Sequence, residues 1–212
     1  MLHSHKNYLF LFLFLASKLL ANDPQNVDNN PFIFIDSNAQ KMVQVLIEDI
    51  ELFETNRTLY EQKIKDIFEP MIDFRRVSAS VMGKKYYLLA TPKQRTEFVE
   101  IFKDSLLDTY AETLAQWGDS TIKTIFVDGE SYKELKNFEV KQILDTGNST
   151  YPISYKLKKN NNGWKIVNII INGVNLGLTF RNQFQALAVS NGDDIEKILK
   201  NWVSDAGDAG IS

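Results

Sequence analysis

Hydrophobic positions in this chain change their period twice. Up to residue 117 they recur at three- and four-residue intervals, from 122 to 171 they alternate, and then helical spacing returns. Residues 37–53 form a helical stripe of Val43, Leu46, Ile47 and Ile50. Residues 59–69 make a second short helix stopped by Pro70, and residues 71–82 a third that ends at Gly83. The next helix is the best marked. Thr91 is an N-cap, Pro92 fits the first helical position, and Gln94 completes a capping box. Phe98, Ile101, Phe102, Leu106, Tyr110, Leu114 and Trp117 then give it a wide apolar face, closed by Gly118.

Residues 122–127, 138–144, 151–157 and 163–171 read as strands, and the short turn-rich links at 145–150 and 160–163 suit antiparallel hairpins. Tyr151, Ile153, Tyr155 and Leu157 alternate with Pro152, Ser154, Lys156 and Lys158, so that strand has one wet face. In the last strand, strict alternation puts Trp164, Ile166 and Ile170 on one face and Val167, Ile169 and Ile171 on the other. Both faces are apolar, so the strand is expected to be covered on both sides. Residues 174–187 and 193–203 return to helix. The order predicts an α+β fold, with a curved antiparallel four-stranded sheet wrapped by helices. The polar segment 22–35 reads as a flexible lead-in, residues 36–204 as a single domain, and 205–212 as a loose tail.

Residues 1–21 are set apart from this fold. Lys6, the apolar stretch 8–16 and the terminal Leu19-Leu20-Ala21 have the layout of a secretory signal peptide, cleaved near Ala21. The apolar stretch is too short for a membrane span. Cleavage would remove Lys6 and Lys18 and leave 22 basic against 27 acidic residues, a net charge of −5. Such a balance argues against binding nucleic acid or anionic lipid headgroups by bulk electrostatics. His3 and His5, the only histidines, leave with the same segment, and the chain has no cysteine. A thiol nucleophile, the usual nitrogen and sulfur metal ligands and the commonest general base are thereby excluded from the mature chain. No metal and no cofactor is expected.

Two groups of residues carry a family resemblance. One comprises Gly163-Trp164-Lys165, Gly173-Val174-Asn175-Leu176, and Arg181 with Phe184. The other comprises Asp73-Phe74-Arg75, Met82-Gly83, the run Thr91-Pro92-Lys93-Gln94-Arg95, Phe98, Phe102, Leu106-Leu107 and Tyr110-Ala111. In order and spacing, from about residue 36 to about residue 200, the chain resembles the MlaC-type, or toluene-tolerance, family of periplasmic phospholipid-binding proteins. The resemblance implies an NTF2-like fold around an apolar cavity, with phospholipid as cargo. It also implies a periplasmic shuttle between an outer-membrane lipoprotein–porin complex and an inner-membrane ABC transporter, maintaining outer-membrane lipid asymmetry without catalysing a reaction. Three positions depart from the family pattern: Tyr86-Tyr87 where an aromatic and Arg are usual, Asn168 where Asp is common, and Asn175 where Ser is common.

The cavity residues expected on this basis fall into two sets. The helical set is Phe98, Phe102, Leu106 and Tyr110, joined by Leu176 and Phe180 after the last strand. The sheet set is Tyr155, Trp164, Ile169 and Ile171, with Val174 beyond the turn. Each is also a natural core residue, because a carrier's pocket is built from core-like side chains. Of the two faces of the last strand, that of Ile169 and Ile171 is favoured for the lumen, since it runs without a polar residue into Gly173 and Val174. Gly173 and Gly177 are a hinge or a tight turn. Arg181 is expected either to meet a carboxylate such as Asp73 or to reach a phosphate at the cavity mouth. Two other readings stay open: an NTF2-like isomerase or dehydratase using Tyr110 or Tyr155 with an Asp, and a structural binding module with a solid core.

Overall fold

The computed structural model of the chain describes residues 30–115, 120–127, 132 and 134–204, the side chains of 110–115 excepted. The expected signal peptide, the first part of the lead-in, Trp117, Gly118 and the tail lie outside the described residues, as do the side chains of Tyr110 and Leu114. Among the described residues five helices come first: α1 (Pro31–Glu48), α2 (Ile50–Thr55), α3 (Arg57–Phe68), α4 (Phe74–Leu89) and α5 (Pro92–Ala115), with a 3₁₀ turn at Glu69–Met71 before α4. The strands β1 (Thr121–Ile125), β2 (Asn137–Asp145), β3 (Thr150–Asn160), β4 (Gly163–Ile171) and β5 (Val174–Asn175) follow, then α6 (Leu176–Ser190) and α7 (Ile195–Asn201). The strands form one antiparallel meander in the order β1-β2-β3-β4-β5. The fold is therefore α+β as expected, with five strands in place of four.

The fifth strand is two residues long and replaces what the spacing predicts as the start of a helix. Asn172 (φ 48°) and Gly173 (φ 83°) both take left-handed backbone, and Ile171 pairs with Val174 across them. Asn-Gly between apolar residues is the sequence signal of such a hairpin turn, and the helical periodicity further on masks it. β5 covers one half of the outer edge of β4. The other half is met by Ile72, which bridges to Ile166, and by the amide of Asp73, which donates to the Ile166 carbonyl at 3.0 Å. Neither half of that edge is left open for another strand.

The first helix also begins earlier than its stripe suggests. Asn30 caps it, its side-chain oxygen accepting from the amides of Phe32 at 3.0 Å and Ile33 at 3.3 Å, and Pro31 occupies the first turn. Phe32 and Ile35 are buried, so the C-terminal end of the expected lead-in belongs to the fold. The buried stripe is Ile35, Met42 and Leu46, while Ile47 is exposed. The predicted helix 37–53 is thus two, parted at Asp49, whose backbone (φ −107°, ψ 12°) leaves the helical region. By contrast, α5 starts where its signals place it. The amide of Gln94 donates to Thr91 Oγ1 at 3.2 Å, and the Thr91 amide donates back to Gln94 Oε1 at 2.9 Å.

Helix α4 does not end at Gly83 but breaks there and resumes. Gly83 has φ 68° and ψ 168° and is buried, with the Arg181 guanidinium lying 3.2 Å from the position a Cβ would take. This backbone region is essentially reserved for glycine. Gly83→Ala is expected to cost about 1–3 kcal/mol, lowering Tm by roughly 2–4 °C for each kcal/mol in a domain of this size. A thermal melt checks this, and an unshifted midpoint would mean that the break relaxes without strain.

Candidate functional site

Strand β4 presents a face that strict alternation does not predict. Lys156 of β3 pairs with Asn168, but the next residue, Leu157, pairs with Ile166, so Val167 is an extra residue at a β-bulge. The bulge moves every later side chain of β4 to the other face. Ile169 pairs with Tyr155 and Ile171 with Ile153, on the same face of β3 as Leu157. Trp164, Ile166, Ile169 and Ile171 therefore share one side of the sheet, where two opposed sets are expected from the sequence. Val174, opposite Ile171, extends the same side.

Among the described residues, most of the buried apolar side chains gather in three clusters. The first lies between α4, α5, α6 and α7, and packs Met82, Tyr86, Phe98, Phe102, Phe180 and Phe184 around Trp202. The second sits on the inner sheet face, where Phe32 and Ile35 of α1 and Met71 meet Val140, Leu157, Trp164 and Ile166. The third joins α1 to α3 through Met42, Leu46, Tyr60 and Ile64. A solid domain usually has one contiguous core. Here the margins of the clusters are apolar side chains that stay only half-buried. Phe34, Ile72, Tyr155 and Ile169 border the second cluster, Phe68 and Leu107 the third, Leu106 and Leu176 the first, and Ile67 both the second and the third.

The expected site residues divide along this line. Phe98, Phe102 and Phe180 are 0–3% exposed and spend their surface on one another and on Trp202 and Phe184, with ring centroids 5.0–6.1 Å apart. Trp164 is equally enclosed. These four are brought into packed core. Leu106, Tyr155, Ile169, Ile171, Val174 and Leu176 keep accessible surface. Tyr155 is flanked across the sheet by Val140 and Ile169. Loss of hydration pushes its phenol well above the ordinary tyrosine range.

The family of this fold follows from comparison of the whole chain. The family model described as MlaC protein matches residues 36–204. The chain belongs to the MlaC family. It is 28% identical over 180 residues to the toluene tolerance protein ttg2D of Pseudomonas putida, covering 84% of this chain and 82% of that one. It is 20% identical over 213 residues to the intermembrane phospholipid transport system binding protein MlaC of Haemophilus influenzae, covering 97% and 88% of the two chains. Among solved structures, the phospholipid-binding protein of Ralstonia solanacearum, in complex with a phospholipid, has the same fold. It superposes with a TM-score of 0.70 at 23% identity, over 79% of this chain and 91% of that one.

Two of the departures from the MlaC pattern are coupled in this chain. Asn168 Nδ2 donates to Asn175 Oδ1 at 2.9 Å, and Asn168 Oδ1 accepts from the Gly177 amide at 3.0 Å. Asn175 Oδ1 also caps α6 by accepting from the Leu178 amide at 3.1 Å. An aspartate at 168 would have no donor for Asn175, whereas a serine at 175 could supply one itself, so the two asparagines belong together. A Cβ on Gly177 would come within 2.6 Å of Asn168 Oδ1. Close approach at Gly177 and the left-handed turn at Gly173 give each glycine a local reason in the structure.

Arg181 does not reach Asp73. Asp73 caps α4 through the Arg76 amide at 3.0 Å and pairs with Arg76 Nε at 3.1 Å, while Arg181 lies over the break at Gly83. Sequence reasoning also passes over a polar strip inside the sheet. Thr124 Oγ1 donates to Asp36 Oδ1 at 2.6 Å and accepts from Gln142 Nε2 at 2.8 Å, and Gln142 is wholly buried. Its signal is Gln142 itself, which stands at an inward position between Val140 and Leu144. Among the described residues no group of His, Cys, Asp and Glu is placed to hold a metal ion. No helix among them is long and apolar enough to cross a membrane.

Proposed function

We propose that this protein is a periplasmic phospholipid carrier that seats acyl chains between the inner sheet face and the surrounding helices and leaves the headgroup in water. A phospholipid has roughly 30 methylenes, each costing about 0.8 kcal/mol to expose, so free passage through water is opposed by over ~20 kcal/mol. A carrier removes that barrier by offering apolar surface not already spent on its own core. The observation that carries the reading is the set of half-buried apolar residues at the margins of the three clusters, Tyr155 and Ile169 of the sheet among them. We assign Leu106, Tyr155, Ile169, Ile171, Val174 and Leu176 to the wall of the recess, and Phe98, Phe102, Trp164 and Phe180 to the core behind it.

The relatives support cargo and role. The Haemophilus influenzae protein is named for intermembrane phospholipid transport and the Ralstonia solanacearum structure holds a phospholipid. On this reading the protein shuttles between an outer-membrane lipoprotein–porin complex and an inner-membrane ABC transporter and serves outer-membrane lipid asymmetry. Export by the segment 1–21 fits that location. The enzymatic alternative needs a carboxylate beside Tyr110 or Tyr155, and the cross-strand neighbours of Tyr155 are Val140 and Ile169. Native mass spectrometry of the protein purified from its source organism tests the reading. A bound species heavier by one phospholipid is expected, and a spectrum of bare chain alone would overturn it.

A further inference from the structure

The charge of this chain is unevenly spread. Between Asp73 and Glu97 there is no acidic residue, while Arg75, Arg76, Lys84, Lys85, Lys93 and Arg95 contribute six positive charges to a chain whose net charge is −3. In the middle of this segment the last turn of α4 carries Tyr87, Leu88 and Leu89, exposed by 37%, 64% and 55%. Their neighbour Tyr86 is buried in the helical core, so the turn is anchored from below. Arg95 of α5 lies over the Tyr87 ring at 4.2 Å, which ties the starts of the two surfaces together at the α4–α5 corner. Lys84 precedes Tyr87 by three residues and Leu88 by four, so it flanks them on the same helix face. Lys84 and Lys93 are both exposed. The flanking carboxylate Asp193 is already engaged, by Lys85 at 2.5 Å and by the Tyr86 hydroxyl at 2.7 Å.

From this corner we propose that the Tyr87-Leu88-Leu89 turn, with Lys84, Lys93 and Arg95 around it, is a docking surface for an anionic lipid bilayer. Three successive helical residues lie 100° apart around the axis, so their exposed side chains wrap the helix end as a knob rather than forming a flat or concave patch. A knob of one tyrosine and two leucines ringed by long cationic side chains matches the headgroup region of a membrane. The leucines enter the acyl boundary, the tyrosine ring sits at headgroup level, and the cations extend to lipid phosphates. The net negative charge of the chain does not oppose this, because screening over about 8–10 Å lets the local patch dominate at contact. This inference goes beyond the carrier reading and does not depend on it.

Flotation of the full chain with vesicles tests it. Vesicles of phosphatidylethanolamine and phosphatidylglycerol at low salt are expected to carry the protein, and pure phosphatidylcholine vesicles to carry about tenfold less. Raising the salt should weaken the binding. Leu88→Ser with Leu89→Ser should abolish it, as should Lys84→Glu with Lys93→Glu, and all four positions are exposed enough to leave the melting temperature unchanged. Bound phospholipid, measured on the same samples by mass spectrometry, should stay at the wild-type load, which separates a failure of docking from a failure of the carrier reading. Wild-type protein that does not float with anionic vesicles, as an acidic protein partner would entail, overturns the proposal. So does equal flotation of both variants and the wild type.

Discussion

Ile169→Glu is expected to yield a folded protein that has lost its phospholipid. Ile169 pairs with Tyr155, borders the sheet cluster and keeps accessible surface. A carboxylate there would face the recess. Burying it against an acyl chain without a partner costs several kcal/mol, and the site's cheapest response is to admit water in place of lipid. Because Ile169 is half-buried, water can reach the new carboxylate in the empty protein, so the domain tolerates it better than the cargo does. Val189→Glu adds the same charge at a position 75% exposed on α6 and should leave the lipid load unchanged. Mass spectrometry of the two variants, with circular dichroism as a check on folding, decides the matter. A folded Ile169→Glu protein with the normal load would remove β4 from the wall.

This prediction depends on a feature the sequence carries only faintly. The identity of the first four strands, the capping box at Thr91 and their meander are legible because they rest on local periodicity and turn chemistry. The bulge at Val167 is not, since β4 is apolar on both faces and an extra Val among Ile residues leaves no mark in the pattern. Only the partner strand fixes the register, and it does so by pairing Leu157 with Ile166. Alternation alone therefore divides Ile166 from Ile169, which the structure places on one face. The hairpin at Asn172-Gly173 and the cap at Asn30-Pro31 are different. Their signals stand plainly in the sequence, but stronger helical spacing on one side and a polar composition on the other draw the reading elsewhere. Fully packed core and half-buried margin are separable only in three dimensions. Phe98 and Leu106 lie on the same helical row, and what distinguishes them is the ring packing that closes over Phe98.

That distinction gives the largest expected effect on stability. Phe98 has no exposed surface and meets Phe102, Phe184 and Trp202 at ring-centroid distances of 5.9, 5.0 and 5.4 Å. Truncation to alanine leaves a cavity among rings from α5, α6 and the segment after α7, which cannot close without moving three elements. The cost for Phe98→Ala is about 3–5 kcal/mol, a large fraction of the ~5–15 kcal/mol that holds a domain folded. At ~2–4 °C per kcal/mol in a domain of this size, Tm falls by roughly 6–20 °C. Ile169→Ala removes atoms from a half-buried side chain, and its cost is about 1 kcal/mol. The lipid readout should run the other way. Phe98→Ala protein held below its melting temperature keeps its phospholipid, because the ring it loses packs behind the wall rather than in it. A Phe98→Ala protein of native stability with a reduced lipid load would move Phe98 out of the core and into the recess.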